Sequence, residues 1–252
     1  MKLSVRVDAI EPSATLAMTA RAQSMRAQGI DILTLSAGEP DFDTPETIKR
    51  AAVGAMERGD TKYTPVAGSA ALRQAVVAMA DQVYQRQVDV KQVSVGTGGK
   101  QVLFNAICAL LNPGDEALFA APYWVSYPDI VRFAGGVPVP VAVDEAKGFL
   151  PQADDYAGAI TAKTRLLILN SPSNPTGATY TEPQLRAIGD MLLNHPHIAV
   201  ITDDIYSGLV YDAPFVSIAH THPQLADRLL IATGVSKSYA MTGWRIGFGI
   251  GP

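Results

Sequence analysis

The chain has 252 residues, 48% of them apolar, enough to bury a substantial core. Its 20 basic and 24 acidic residues leave a net charge of −4, which excludes the electrostatic footprint of a nucleic-acid-binding protein or of one drawn to anionic membranes. No run approaches the roughly 18 apolar residues of a membrane span, and the start "MKLSVRVDAIEPSATLAM" lacks an apolar stretch of signal-peptide length, so a cytoplasmic protein acting on small molecules is expected.

The first predicted element is a helix in "SATLAMTARAQSMRAQG", closed by a glycine. The segment "PETIKRAAVGAMERGDTKYTPVAGSAALRQAVVAMADQVY" reads as two helices joined by a Gly/Pro-containing loop, with room to pack outside a sheet. Short apolar runs bounded by turn residues then follow as strands: "VSVG", "EALFAAP", "GVPVPVAV", "RLLILNSP", "IAVITDD", "RLLIATG" and "RIGFGIG". Helical patterns lie between them, among them "GKQVLFNAICALL", "WVSYPDIVRFA" and "EPQLRAIGDMLLN". This β-α-β-α rhythm predicts an α/β fold, a three-layer α/β/α sandwich with a mainly parallel sheet.

In such sheets ligands sit beyond the carboxyl ends of the strands. After "VSVG" comes "TGGKQ", a glycine-rich turn entering a helix, which reads either as a plain tight turn or as a phosphate cradle. It fits neither the P-loop, since Gln101 follows Lys100, nor the dinucleotide fingerprint, which needs a third glycine. "APYWVSYPD" places Tyr123, Trp124 and Tyr127 at a strand end, as packing or as a plate for a flat ring. Asn174 in "NSPSNPTG" is a turn-former or an amide aimed at a ligand oxygen. Asp203 ends a buried apolar strand and needs a partner, for which a cationic ring nitrogen would serve.

Lys237, in "GVSKSYAMTGWRIG", has no acidic residue within four positions and stands among small residues that favour a neutral, nucleophilic amine. A phosphate cradle, an aromatic plate, an amide, a phenol, a carboxylate for a ring N–H and a lysine for an aldehyde together meet the requirements of pyridoxal 5'-phosphate. Arg245 is placed to pair with the phosphate as lysine would not.

The motifs "AGEPDFDTP", "KYTPVAGSAALR", "PYWVSYPDIVRFAGG", "NSPSNPTGA", "DDIYSG" and "GVSKSYAMTGWRIG", in this order, resemble the fold-type I pyridoxal phosphate enzymes, specifically the class I/II aminotransferases of aspartate aminotransferase type. The resemblance implies transfer of an amino group between an L-amino acid and a 2-oxo acid. It makes Lys237 the Schiff-base lysine and proton shuttle, Asp203 the holder of the pyridine proton, and Asn174 and Tyr206 the partners of the ring oxygen. It assigns Trp124 to the ring face, and the Gly99 and Lys100 backbone amides, Ser236 and Arg245 to the phosphate. Gly38 would lie beside the substrate carboxylate, with Trp124 and Asn174 also at the substrate. Tyr63 would reach the phosphate of a neighbouring subunit, making a homodimer the active unit. The bonds Ala121–Pro122 and Asn174–Pro175 are expected to be cis. Residues 1–44 would form an N-terminal arm and the start of a small-domain region, and 45–252 the cofactor-binding large domain.

Three departures qualify what the resemblance implies. Gly234 stands where many members have serine, so one phosphate contact is expected to be lacking. Glu11 stands where several aspartate-using bacterial members have lysine, and it would repel a distal substrate carboxylate. The chain stops at "FGIGP", where members continue into a small domain carrying the arginine that grips the substrate, so a C-terminally truncated and impaired form is expected. Elimination at the β or γ carbon with the same cofactor, and a non-catalytic cofactor-binding module, are the alternative readings. The pairs His195/His197 and His220/His222 read as solvated loop residues with no metal, and the single cysteine, Cys108, as core packing.

Overall fold

The computed structural model describes residues 2–8, 10, 14–35 and 38–252; Glu11 lies outside the described residues. All seven predicted runs are strands: β1 (Val93–Gly96), β2 (Glu116–Ala121), β3 (Val137–Ala142), β4 (Thr164–Asn170), β5 (Ala199–Asp203), β6 (Leu229–Gly234) and β7 (Gly247–Ile250). They form one sheet in the order β1-β7-β6-β5-β4-β2-β3. Only β7 runs against its neighbours, pairing antiparallel with β1 and β6 while every other pairing is parallel.

Successive strand residues point to opposite faces, and the core divides accordingly. Leu167, Leu169, Val200, Leu229 and Ile231 join one buried cluster. Leu166, Ile168, Ile201 and Ala232 join the other. Both faces are apolar because helices cover both, which is what a central parallel sheet requires.

The helices are α1 (Val5–Asp8), α2 (Ala14–Ala27), α3 (Glu46–Glu57), α4 (Ala70–Tyr84), α5 (Gly99–Leu110), α6 (Ser126–Phe133), α7 (Ala153–Ala159), α8 (Glu182–Leu193) and α9 (Ile218–Thr221). Helices α5 and α6 pack on the second cluster through Leu103, Ile107, Tyr127 and Val131. Helices α4, α7, α8 and α9 supply Val76, Tyr84, Tyr156, Leu185, Ile188 and Ile218 to the first. Local signals set their starts: Ser69 caps α4 by accepting from the Leu72 N–H, and Thr181 and Gln184 form a capping box on α8.

Three expectations are corrected. Helix α4 is not outside the sheet; it buries Val76, Ala80 and Tyr84 in the core, whereas α3 buries no residue. Cys108 is exposed, because it lies one residue, about 100° of helical turn, beyond Ile107 on the buried face of α5. His222 is buried rather than solvated. Its ring lies against Gly189 of α8, where any Cβ would overlap it, with Nδ1 3.1 Å from Thr221 Oγ1 and Nε2 3.2 Å from Asp190.

Candidate active site

The parallel directions of β1, β4, β5 and β6 bring their carboxyl ends to one edge of the sheet. β1 turns into α5 through Gly98, whose φ of +89° lies in the left-handed region that glycine alone enters freely. Gln101 Oε1 ties the turn by accepting from the Thr97 N–H at 2.6 Å and the Thr97 hydroxyl at 2.8 Å. The first N–H groups of α5, at Gly99 and Lys100, point out of the helix end, where the helix dipole favours an anion.

Glycines make room for this turn. A Cβ on Gly247 would overlap the backbone of Gly98 and Gly99, and one on Gly98 would strike the Arg245 guanidinium. A Cβ on Gly234 would lie 2.8 Å from the Ile246 carbonyl and 2.9 Å from the Gly247 Cα, so a serine has no room at this position. Arg245, itself at φ 56°, is held across the turn by the Thr242 carbonyl at 2.8 Å and the Thr97 carbonyl at 3.4 Å. The result is a cradle of free N–H groups and one guanidinium.

Lys237 lies in the turns that follow β6, next to the buried Ser236. Its ammonium donates to the Gly38 carbonyl and sits 6.0 Å from the centre of the Tyr206 ring. Burial holds the amine below the usual lysine range; nearby Glu39 opposes this and the Arg245 charge assists it. A cavity of about 580 Å³ beside this turn is lined in part by Glu39, Phe42, Thr44, Thr242 and Trp244.

Asp203, at the end of β5, is 6% exposed and accepts a 2.6 Å bond from the Tyr127 hydroxyl of α6. Burial pushes its carboxyl up to about 6, against the lowering effect of Tyr127 and the Ile205 N–H. Asn170, paired with Asp203 in the β4–β5 register, donates to the Asp203 carbonyl at 2.8 Å and accepts from the Asn174 N–H at 2.8 Å. Asn174 in turn donates to the Tyr206 hydroxyl at 3.3 Å. Burial, then the Asp203 charge, pushes the Tyr206 phenol up, opposed by Asn174. Asp203, Asn174 and Tyr206 are thus brought together, and Asn170, which sequence reasoning missed, is the link. Its place as the last residue of a buried apolar strand, like that of Asp203, was the available signal.

Trp124 packs edge-on against Tyr127 with ring centres 5.4 Å apart, and Lys100 places its ammonium 4.9 Å from the Trp124 ring centre. Partial burial, then the Arg245 charge, lowers the Lys100 amine. The Lys100 side chain over the plate was not expected; sequence reasoning used only its backbone. Tyr123 packs edge-on against Phe119 with ring centres 5.0 Å apart and, with Tyr127, Asn170 and Asn174, lines a small pocket. Ala121–Pro122 and Asn174–Pro175 are cis as expected, and Ser171–Pro172 is cis as well. Tyr63, in the loop between α3 and α4, is fully exposed.

A lysine with a lowered amine, a buried carboxylate, an amide–phenol pair, an aromatic ring and the glycine-rich start of a helix thus gather at the carboxyl edge of an α/β sheet. The chain belongs to the aminotransferase class I and II family, whose model matches residues 30–252. It is 51% identical over 244 residues to a probable aspartate/prephenate aminotransferase of Rhizobium leguminosarum bv. phaseoli, covering 96% of this chain and 61% of that protein. An aspartate/prephenate aminotransferase of Cereibacter sphaeroides is 48% identical over 251 residues, 99% of this chain and 63% of the relative. Among solved structures, the aspartate aminotransferase of Rhizobium meliloti superposes with a TM-score of 0.96 at 45% identity, covering 100% of this chain and 63% of that one. That of Thermus thermophilus with maleate gives 0.96 at 44% identity, covering 100% and 65%. The chain therefore spans slightly less than two thirds of the length of these relatives. Enzymes of this family are pyridoxal phosphate-dependent.

Proposed function

We propose that this chain carries the pyridoxal phosphate site of an aminotransferase that moves an amino group between an L-amino acid and a 2-oxo acid. The observation that supports it most is the join of Asp203, Asn174 and Tyr206 beside Lys237. The donor set also suits the cofactor's phosphate, since the glycines at 98 and 247 let the start of α5 and the Arg245 guanidinium come together without an intervening side chain. When bound, pyridoxal phosphate supplies an aldehyde and a ring that withdraws electrons from the Cα of an amino acid.

The chain's own residues do the rest. The Gly99 and Lys100 N–H groups, Ser236 and Arg245 hold the phosphate. Asp203, ionised above about 6, keeps a proton on the ring nitrogen, and Tyr127 stabilises that ionised state. Asn174 and Tyr206 would hold the ring oxygen, and Trp124 would cover the ring face. Lys237 would hold the cofactor's aldehyde through its amine and would serve as the base for the substrate Cα proton; burial lowers its pKa, which favours the neutral amine that both roles need. The contact between the Gly38 carbonyl and Lys237 supports a role for Gly38, together with Trp124 and Asn174, beside the substrate carboxylate.

Residues 45–252 would form the cofactor-binding large domain, and 1–44 the N-terminal arm and the start of a small-domain region. The full exposure of Tyr63, together with exposed Leu33, Leu35 and Val66, supports a homodimer in which Tyr63 reaches the partner's phosphate. No helix among the described residues is long and apolar enough to cross a membrane, and a cytoplasmic location follows the composition. The names of the relatives make aspartate the first donor to try, and Glu11 argues for apolar donors beside it.

Borohydride reduction of the protein mixed with pyridoxal phosphate, followed by peptide mass analysis, tests the proposal. The cofactor mass is expected on the peptide containing Lys237 and absent from Lys237→Ala. Labelling of Lys100 instead, or no labelling, would overturn it. Amino donors are then screened for formation of the pyridoxamine form.

A further inference from the structure

Asp203 ends β5 and Asp204 follows it directly, in extended backbone that sends their carboxylates to opposite sides of the sheet. Asp203 meets Tyr127 of α6, whereas Asp204 enters the layer of α4 and α9, 1% exposed. Each Asp204 oxygen has its own donor: Thr202 Oγ1 reaches Oδ1 at 2.6 Å, and Ser217 Oγ reaches Oδ2 at 2.8 Å. The Asp204 backbone is anchored too, donating to the Ala232 carbonyl at 2.9 Å and accepting from the Thr233 hydroxyl at 3.2 Å and the Ser207 N–H at 3.0 Å.

Ser217 is the N-cap of α9, so the Asp204–Ser217 bond joins the two ends of one loop, residues 205–216. This loop has neither strand nor helix, and it carries Tyr206. Its far end is also held by Phe215 and Val216, which pack on the first core cluster, with Phe215 edge-on to Tyr84 at 6.2 Å. Around Tyr206 the ties are polar: the Leu209 N–H donates to the Tyr206 carbonyl at 2.8 Å, the Gly208 N–H to Ser238 Oγ at 3.2 Å, and the Asn174 amide to the Tyr206 hydroxyl at 3.3 Å. A fully buried carboxylate is costly unless hydrogen-bonded, and here each oxygen has a hydroxyl donor. A carboxylate is the group that accepts two hydroxyls arriving from different elements at once.

We infer that Asp204 is a positioning residue whose carboxylate clasps the base of the 205–216 loop and thereby fixes Tyr206 against Asn174. Its bearing on cofactor binding rests on the function proposed above, but the clasp itself is measurable without cofactor. The groups facing Asp204 are Thr202 and Asp203 from β5, Ser217 from α9 and Tyr84 from α4; the last is near enough to interact electrostatically.

Amide hydrogen exchange on the cofactor-free protein is the test, with Asp204→Ala, Asp204→Asn and Ser217→Ala. Loss of one charge-assisted hydrogen bond corresponds to about tenfold or more in local opening. Asp204→Ala and Ser217→Ala are therefore expected to speed exchange in 205–216 by at least about tenfold beyond any change in β4–β6. Asp204→Asn, whose amide accepts from Thr202 and donates to Ser217, is expected to exchange no faster than the parent. Uniform acceleration across sheet and loop, an unchanged loop in Ser217→Ala, or an Asn variant as fast as the Ala variant would each overturn the clasp. Pyridoxal phosphate affinity is then compared for Ser217→Ala, Tyr206→Phe and the double variant. Non-additive losses are expected if the clasp acts through Tyr206, and fully additive losses would refute that link. If the parent itself binds no cofactor, the proposed function fails while the exchange result still decides the clasp.

Discussion

The Tyr127 hydroxyl donates to Asp203 Oδ2 at 2.6 Å from the helix layer opposite α4 and α9, which makes α6 a determinant of the charge at the end of β5. A hydrogen bond to an ionised group is worth about 1.5–3 kcal/mol, or roughly one to two pKa units. Tyr127→Phe is therefore expected to raise the Asp203 carboxyl further above about 6. The acidic limb of the pH profile for cofactor binding should move to higher pH by about one unit. An unmoved limb would show that Asp203 is held ionised by other groups.

The backbone approach at Gly247 leads to a steric prediction. Gly247→Ala would force apart the Gly98–Gly99 turn and the start of β7, an overpacking that typically costs about 1–3 kcal/mol, and it should weaken binding of phosphorylated cofactor. Gly234→Ser should also destabilise the chain rather than add a phosphate contact, since its Cβ has no room. Gly243→Ala, with nothing within 4 Å, is the control and should unfold with the parent in a denaturant titration.

Gly189 presents two opposing effects. Alanine in a helix interior is favoured over glycine by about 1 kcal/mol. Against this, a Cβ at position 189 would occupy the space of the buried His222 ring, which must then leave Asp190 and Thr221. The displacement is the larger effect, so Gly189→Ala is expected to lower stability by about 1–3 kcal/mol. A variant more stable than the parent would show that the α8–α9 contact repacks freely.

The sheet was legible because each strand is a short apolar run closed by turn residues, and the cofactor-class residues because they are polar groups at the ends of those runs. Asp203 stood out as a carboxylate closing "IAVITD", and its neighbour Asp204 did not, since only the pleat shows that the two face different layers. The Tyr127–Asp203 and Asn170–Asn174 contacts depend on the phase of α6 and the β4–β5 register, which no local pattern states. Cys108 and His222 were misread for the same reason: an apolar neighbourhood in sequence is not a buried face, and a loop-like stretch is not an exposed one. Tyr63 and Gly38 drew their meaning from family resemblance alone.

The two buried carboxyls make stability pH-dependent in an unusual direction. Burial raises Asp203 from 3.8 to about 6 and Asp204 from 3.8 to about 7, the latter opposed by the Thr202 and Ser217 hydroxyls and aided by the Asp203 charge. Between these values the folded chain binds more protons than the unfolded chain, so the slope of unfolding free energy with pH is negative. These two groups favour the fold most below about pH 4, and their contribution is lost as pH rises to about 7. Asp204→Asn removes the charge but keeps hydrogen-bonding groups for Thr202 and Ser217. It is therefore expected to be more stable than the parent at pH 8 and close to it at pH 4. Urea titrations of the cofactor-free protein at both pH values measure the difference, and equal gains at pH 4 and pH 8 would show that Asp204 does not change its protonation across this range.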